Sequence, residues 1–322
     1  MVVINDLKKV PRYRVPVLTI GNFDGVHLGH RKIFRTVIER AREIGGTPMA
    51  MTFNPHPVRV VAPERDLRII TSHEDKIGLI GQTGIKVLIS IPFDREFSRT
   101  DPSDFVLRVL VENLGVKWVI VGPRYAFGKN RQGSVDLLRR RGLTFGFRVT
   151  VVRYEKVRGE AVSSSRVRSL LLRGRVLEAS RLLGRPYHIN GSVITGAGRG
   201  ALVLNTPTAN LKTQNELIPR EGVYAVKVSM TGSASRKAGS AAYNGVANIG
   251  SNPTFGGLDM SYEVHLFDFS GNLLGRTLRL HFIDRIRDEQ KFPTSAALRD
   301  QIRQDVMKAR ALLAQHHEPL YL

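Results

Sequence analysis

The 322-residue sequence contains no cysteine, a single tryptophan and far fewer acidic than basic residues. The absence of cysteine excludes disulfides, thiolate nucleophiles and zinc sites built on sulfur ligands. No apolar run approaches the roughly 20 residues that a membrane helix needs. The N-terminus mixes charges of both signs and has no apolar signal-peptide core. We therefore expect a cytoplasmic protein with no membrane partner.

The shortage of acidic residues gives the chain a strong positive charge. There are 49 Lys and Arg residues against 28 Asp and Glu residues, a formal net charge of +21. This balance favours anionic ligands and leaves a basic nucleic-acid-binding protein as one alternative. However, the basic residues are spread along the chain, apart from short clusters such as Arg139–Arg141, and no RRM, KH or zinc-finger pattern accompanies them. We therefore expect no nucleic-acid partner.

A chain of this length predicts two domains, and the residue pattern changes near Gly184. Residues 1–183 alternate apolar strands with amphipathic helices, which predicts an α/β domain with a Rossmann-like, doubly wound parallel sheet. Residues 184–322 carry short strands separated by glycine-rich turns, which predicts a small antiparallel β-barrel with a terminal helix over 294–315. The predicted strands are 17–20, 47–53, 86–91, 117–121, 191–195, 222–229, 241–249, 261–267 and 277–282.

The segment Val17–His30 combines a buried strand, a Gly/Asn/Asp turn and the start of an amphipathic helix. Such a junction directs backbone N–H groups and the positive end of a helix dipole at one point, which suits a phosphate group. His27 and His30 lie three residues apart and therefore share one helix face. Imidazoles donate hydrogen bonds to phosphate oxygens. The sequence thus predicts phosphate chemistry here, whereas an ordinary βα turn with solvated histidines is the alternative.

Three segments follow predicted strands and should meet at one edge of the parallel sheet. They are Gly21–Gly25, Asn54–Pro57 and the chain after Gly122. The last of these, Arg124–Gly133, is either a solvated connection or a basic lid over a phosphate or a flavin. Farther along, Ser163–Ser165 can cap a helix, and together with Arg166 and Arg168 they can also present donors to a polyphosphate.

The second half carries weaker individual signals. Glycines 196, 198 and 200 can form a backbone nest for phosphate, and Thr208 and Asn210 offer hard oxygen donors suited to Mg²⁺. Glu263 interrupts an apolar strand, which makes it either a general base at the barrel mouth or a solvent-facing strand residue. His265 shares its strand face.

Taken in order, these segments resemble the bifunctional bacterial riboflavin kinase/FMN adenylyltransferase family, also called FAD synthetase. The resemblance covers nearly the full chain. It rests on segments 21–30, 52–57, 127–133, 163–168, 191–200, 207–210 and 248–255, with Glu263, Arg287, Glu289 and 291–292.

The resemblance implies a nucleotidylyltransferase-type domain over 1–183 that adenylylates FMN to FAD, and a domain over 184–322 that phosphorylates riboflavin to FMN. ATP would be the co-substrate of both steps and Mg²⁺ the cofactor. In the first domain it implies catalytic roles for His27 and His30. There the phosphate-binding residues would be Gly21, Asn22, Phe23, Gly25, Gly29, Ser163, Ser164, Arg166 and Arg168, and the flavin-binding residues Asn54, His56, Pro57, Arg124 and Phe127.

In the second domain the resemblance implies that Glu263 is the general base and that Thr208 and Asn210 hold Mg²⁺. The nucleotide site would comprise Gly196, Gly198, Gly200, Thr208, Asn210, Asn252 and Pro253, and the flavin site Arg287 and Glu289. The chain departs from the family pattern at Arg124, Ser134, Asn205 and Thr206. An FMN adenylyltransferase with a decayed kinase domain is therefore an alternative. Weak homo-oligomerisation is compatible with the sequence.

Overall fold

The computed structural model describes residues 1–195, 208–231, 242–254, 257–316 and 320. Contacts between residues divide the chain into two compact units, the first ending at Ser164 and the second beginning at Ser165. Each unit has its own sheet and core.

The first unit is built on a parallel sheet of six strands, as the alternation of strands and helices predicts. The strands of the whole unit, in chain order, are β1 (Val2–Ile4), β2 (Pro16–Ile20), β3 (Thr47–Asn54), β4 (Val87–Pro92), β5 (Trp118–Val121), β6 (Ala126–Phe127), β7 (Gly133–Ser134), β8 (Arg148–Val151), β9 (Lys156–Val157) and β10 (Glu160–Ala161). The sheet order is β1-β4-β3-β2-β5-β8, while β6-β7 and β9-β10 are short antiparallel hairpins.

Helices cover both faces of this sheet, which explains why its central strands are apolar throughout. The helices are α1 (Leu28–Glu43), α2 (Val58–Val61), α3 (His73–Gly81), α4 (Arg95–Ser98), α5 (Pro102–Asp104) and α6 (Val135–Phe145). Short 3₁₀ turns lie at Leu7–Lys9 and Lys129–Arg131. After α5 the chain continues as a π-helix, Phe105–Asn113, so its apolar residues are buried with a wider period than an α-helix would give.

The strand order reverses between β2 and β5. From β2 the chain builds outward to β3 and β4, and it then crosses to the other side of β2 to add β5. In open parallel sheets, ligands bind beside the carboxyl ends of the strands at such a reversal. The loops that begin at Gly21 and Gly122 leave the sheet at this point.

The second unit is a closed barrel with a terminal helix, as the sequence predicts, and two further helices, expected in the first domain, belong to it as well. Its elements are α7 (Ser164–Leu172), α8 (Val176–Leu183), β11 (Tyr187–Ile194), β12 (Thr208–Thr213), β13 (Gly222–Thr231), β14 (Tyr243–Thr254), β15 (Gly257–Leu266), β16 (Thr277–Arg287) and α9 (Ser295–Ala314). The barrel order is β11-β12-β15-β14-β13-β16, with antiparallel pairing between the neighbouring strands.

The two faces of the barrel wall have different partners. Tyr224, Ala247 and Val264 are buried and face the barrel interior. Val223 and Ala225 face outward and pack against the apolar side of α9. The strand pairing therefore places Tyr224, Ala247 and Val264 in the barrel core, and Val223 and Ala225 on the surface beneath α9.

The helices α7 and α8 lie with the barrel. The backbone N–H of Arg220 donates to the Leu171 carbonyl at 3.1 Å, and α8 packs against β11 and β16. Contacts thus divide the chain at 164/165, earlier than the functional boundary expected at 183/184.

Candidate active sites

The loop between β2 and α1 has a tightly constrained backbone. Phe23, Gly25 and Val26 all have positive φ, at 50°, 83° and 41°. The Phe23 ring is buried and packs on Phe34, with ring centroids 4.7 Å apart. A Cβ at Gly21 would lie 2.9 Å from the Phe23 ring, so glycine is required there. Phe23 therefore anchors the loop in the core, and only its backbone is placed to meet a ligand.

His27 and His30 form a stacked pair at the start of α1. Their ring centroids are 3.6 Å apart with 15° between the planes. The His30 backbone N–H donates to Nδ1 of His27 at 3.2 Å, so His27 caps the helix. Because Nδ1 accepts this bond, the ring proton of neutral His27 lies on Nε2, where it can be donated. Gly29 leaves room for the His27 ring, which would lie 3.1 Å from a Cβ at that position.

Asp24, the acidic residue of the same loop, has a structural position that the sequence analysis did not assign. Its carboxylate is 3% exposed and accepts backbone N–H groups from Ile70 at 3.0 Å and Thr71 at 3.2 Å. Its own carbonyl accepts a hydrogen bond from the Ser164 hydroxyl at 2.9 Å. Asp24 thus ties the loop to the segment before α3 and to the first residue of α7.

A cavity of about 940 Å³ opens at the carboxyl edge of the sheet. It is lined by all three segments expected to converge, namely Gly21 and Asn22, His56 and Pro57, and the loop 124–131. This prediction is therefore confirmed. The wall combines an aromatic cluster with cationic side chains. The aromatic residues are Phe53, Phe93, Phe97, Phe105, Tyr125 and Phe127, and the cations are Arg65, Arg99, Arg124, Lys129 and Arg131.

Some proposed residues lie away from this cavity wall. The stacked histidines occupy the other end of the same loop, where α1 begins. Asn54 is exposed at the end of β3, before a cis peptide bond to Pro55. Arg166 and Arg168 follow Ser164 within two turns of α7. Arg124, by contrast, lines the cavity, and its guanidinium lies 5.7 Å above the Tyr154 ring.

The second candidate site lies on the outer wall of the barrel. Val223, Asn248, Glu263 and Asn210 pair in one row across four neighbouring strands and therefore share one face. The next row brings Thr208 beside His265. Because Val223 contacts α9, this is the face beneath the helix. Glu263 thus lies on the outer wall, whereas one of the two alternatives from the sequence placed it at the barrel mouth. Glu263 and His265 share the strand face that carries Val223.

Thr208 and Glu263 line the same cavity, which has a volume of about 350 Å³. Its remaining wall comes from Arg287, Glu289 and residues of α9 such as Ile302. Thr208 and His265 also border a second cavity of about 200 Å³ beside residues 269–274. Glycines 196, 198 and 200 lie outside the described residues, as do the side chains of Asn252 and Pro253.

Arg287 is fixed by an ion pair within this wall. Its Nε lies 3.0 Å from both carboxylate oxygens of Asp305, and its Nη2 lies 2.8 Å from one of them. Asp305 is 3% exposed and also accepts a hydrogen bond from the Gln301 side chain at 3.0 Å. The sequence analysis missed Asp305. The signal that could have found it is a lone acid on the apolar face of a helix, between Ile302 and Ala309.

The oxygen donors at Thr208 and Asn210 are neutral. No group of three or more His, Cys, Asp or Glu residues that could hold a metal ion occurs within the described parts of the chain. A few neutral oxygens suit a Mg²⁺ ion that arrives bound to substrate phosphates better than a permanently resident ion, because Mg²⁺ retains water and phosphate ligands.

Comparison with known proteins assigns each unit to a family. A family model described as FAD synthetase matches residues 11–166, and one described as riboflavin kinase matches residues 183–313. The bifunctional riboflavin kinase/FMN adenylyltransferase of Pseudomonas fluorescens is 38% identical over 306 residues, which cover 94% of this chain and 95% of that protein. The chain belongs to this bifunctional family. The protein of the same description from Haemophilus influenzae is 38% identical over 298 residues, covering 91% of this chain and 93% of its own.

One solved structure has the same fold as the present chain. It comes from Streptococcus pneumoniae, is described as a macrolide-efflux protein, and matches with a TM-score of 0.86 at 29% identity, covering 96% of this chain and 98% of that one. Across the described residues of the present chain, no helix is both long and apolar enough to cross a membrane.

Proposed function

We propose that the two units catalyse consecutive steps of flavin cofactor synthesis. In this proposal residues 184–322 transfer the γ-phosphoryl group of ATP to riboflavin, and residues 1–183 transfer the AMP of a second ATP to the FMN so formed. The observation that carries the proposal is that each family match falls on a separate cavity with the required side chains.

For the kinase step, Glu263 is the general base. Its carboxylate takes the proton from the terminal ribityl hydroxyl of riboflavin as that oxygen bonds to the γ-phosphorus, and ADP leaves with the bridging oxygen. Thr208 and Asn210 would hold Mg²⁺ bound to ATP, because they share the strand face of Glu263. Thr208 borders the 350 Å³ cavity and the 200 Å³ cavity, which supports flavin on one side and nucleotide on the other.

For adenylyl transfer, no protein nucleophile is required. A phosphate oxygen of FMN attacks the α-phosphorus of ATP, and the bond to the bridging oxygen breaks to release pyrophosphate. The protein contributes alignment and charge neutralisation. The Nε2–H of His27 and the His30 ring would serve the ATP phosphates. The aromatic and basic cavity suits the planar flavin ring and the phosphate of FMN.

Incubation of the pure protein with riboflavin, ATP and Mg²⁺, followed by separation of the flavins, tests the proposal. Accumulation of FAD supports both activities. Conversion of supplied FMN while riboflavin remains unchanged would indicate a decayed kinase domain. If neither flavin is converted and the protein instead binds duplex DNA tightly in ~0.15 M salt, where nonspecific binding is weak, the proposal is wrong and the nucleic-acid alternative gains support. The proposal also includes a cytoplasmic location and at most weak self-association.

A further inference from the structure

Lys76 is a charged residue buried behind the first active site. It lies on α3, is 6% exposed and belongs to the buried face of that helix with Leu79 and Ile80. Its ammonium group donates to the carbonyl of Asn22 at 3.3 Å and to the carbonyl of Phe53 at 3.4 Å. Neither the sequence motifs nor the proposed mechanism uses this residue.

The two carbonyls belong to the ends of neighbouring strands. Asn22 follows β2, Phe53 lies near the end of β3, and both residues line the 940 Å³ cavity. The hydroxyl of Thr52 also donates to the Asn22 carbonyl, at 3.2 Å. A single cation therefore connects two of the three segments that shape the cavity, at the point where the ladder of the sheet ends.

Stability alone does not account for a lysine at this position. Burial lowers the pKa of Lys76 from its ordinary value of 10.5 to about 8, and the charge of Asp24 acts in the opposite direction. Replacement of a buried charge by an apolar side chain of similar volume is often neutral or stabilising. Side chains that cost stability are typical of functional sites.

We propose that Lys76 is a positioning residue for adenylyl transfer, whose ammonium group holds the ends of β2 and β3 at the separation that ATP and FMN require. This inference rests on the proposed function of the first unit. Lys76 acts through the backbone of Asn22 and Phe53, and only its charged ammonium form holds the two strand ends in position.

The role of the ammonium form can be tested by varying the pH, because few other titratable groups interact with Lys76. The titratable groups that interact with Lys76 in this fully described unit are Asp24, on the loop, and His73, on the same helix. The pKa of His73 is itself lowered, first by burial and then by Lys76, while Glu74 opposes the shift. His73 is therefore neutral throughout the range in which Lys76 loses its proton.

Activity and stability should respond to this deprotonation with opposite signs. Between pH values of about 8 and 10.5 the unfolded chain binds more protons at Lys76 than the folded chain does, so the stability of the first unit rises with pH in this window. Loop positioning is lost over the same window. A purely structural lysine would not produce this divergence.

The test compares Lys76→Met, Lys76→Arg and the control Lys86→Met, which replaces an exposed lysine just before β4. At pH 7.5 we expect Lys76→Met to lower kcat for conversion of FMN to FAD at least tenfold, whereas Lys86→Met leaves it unchanged. Riboflavin phosphorylation in the same protein reports that the second unit is folded, and thermal unfolding reports whether the first unit is folded. In the unmodified protein, kcat for FMN should decline above pH 8, and Lys76→Arg should move this decline upward by one pH unit or more because the guanidinium remains charged.

Wild-type adenylyl transfer in Lys76→Met, or an alkaline decline that is identical in Lys76→Arg and the unmodified protein, would overturn the inference alone. If Lys76→Met loses both activities, the comparison of pH profiles between the unmodified protein and Lys76→Arg decides. If the unmodified protein does not convert FMN at all, the proposed function fails together with the inference.

Discussion

Gly29 lies between His27 and His30 in the sequence, and because it has no side chain it leaves the space into which the His27 ring fits. An alanine Cβ there would lie 3.1 Å from Cε1 of His27, closer than ordinary contacts allow. We expect Gly29→Ala to displace this ring and to lower kcat for FMN adenylylation by about 10- to 100-fold, as small misplacements of aligned groups do. Separation of the flavins should show unchanged riboflavin phosphorylation.

Gly78 provides the control, because it lies within α3 and a Cβ there would meet nothing within 4 Å. Gly78→Ala should raise the free energy of unfolding by about 0.5–1 kcal/mol and leave both activities intact. Unimpaired adenylylation in Gly29→Ala would show that the histidine stack is not needed for catalysis.

Glu263 and His30 lie in different units, so substitutions at these positions should impair different steps. We expect Glu263→Gln to reduce riboflavin phosphorylation by about 10²–10⁴-fold, the usual contribution of a general base, while FMN is still converted to FAD. His30→Ala should have the reverse effect. Initial rates with riboflavin or FMN as the supplied flavin measure the two steps separately. Equal loss of both steps in either variant would contradict two independent sites.

At the scale of single residues, the sequence identified some of the polar groups that line the two cavities but not the cations Arg65 and Arg99. It also missed Lys76 and Asp305. Each occupies the buried face of an amphipathic helix, three or four residues from apolar neighbours. A charged residue in such a pattern is usually solvated at the margin of the face. Only the packing reveals that Lys76 meets two carbonyls and that Asp305 meets Arg287.

At the scale of elements, the helix α9 forms one wall of the kinase cavity. Arg287, on β16, reaches Asp305 of α9 through two hydrogen bonds of 3.0 Å to its carboxylate. We expect Asp305→Asn to destabilise the second unit by about 2–4 kcal/mol, because it leaves a largely buried guanidinium without its counter-charge. The KM for riboflavin should rise, since Arg287 and residues of α9 line the cavity.

Thermal unfolding and riboflavin kinetics would measure these effects. Asp300→Asn on the same helix is the matched control, because Asp300 and Arg303 form an exposed pair at 3.5 Å that should contribute little. If Asp305→Asn were no less stable than Asp300→Asn, the ion pair would not be what holds the helix to the barrel.

The elements themselves were largely predictable. The amphipathic pattern gave the start of α1 and both ends of α9 to within a residue or two, and short apolar runs gave β2, β3 and β5. The strands β8 and β12 were not predicted, since Arg148 and Lys212 interrupt their apolar pattern. The π-helix at Phe105–Asn113 also escaped prediction, because local spacing does not distinguish it from an α-helix.

At the scale of the whole molecule, the described residues that line each cavity belong to a single unit. A mixture of the Glu263→Gln and His30→Ala proteins should therefore convert riboflavin to FAD, because one supplies FMN and the other consumes it. Chromatography of the flavins over time should show FMN before FAD. Failure of the mixture, when each variant retains its own step, would show that FMN does not leave the protein between steps.

The sequence by itself determined the alternation of strands and helices, the change to short glycine-separated strands, and the motifs that mark both sites. These properties follow from side-chain periodicity and backbone preferences, which act over a few residues. Tertiary structure decided which loops share a cavity, which face of β15 meets α9, and how the buried charges of Lys76 and Asp305 are neutralised. Those outcomes depend on contacts between residues distant in the chain, where strand order and burial set the distance and the dielectric surroundings of each charge.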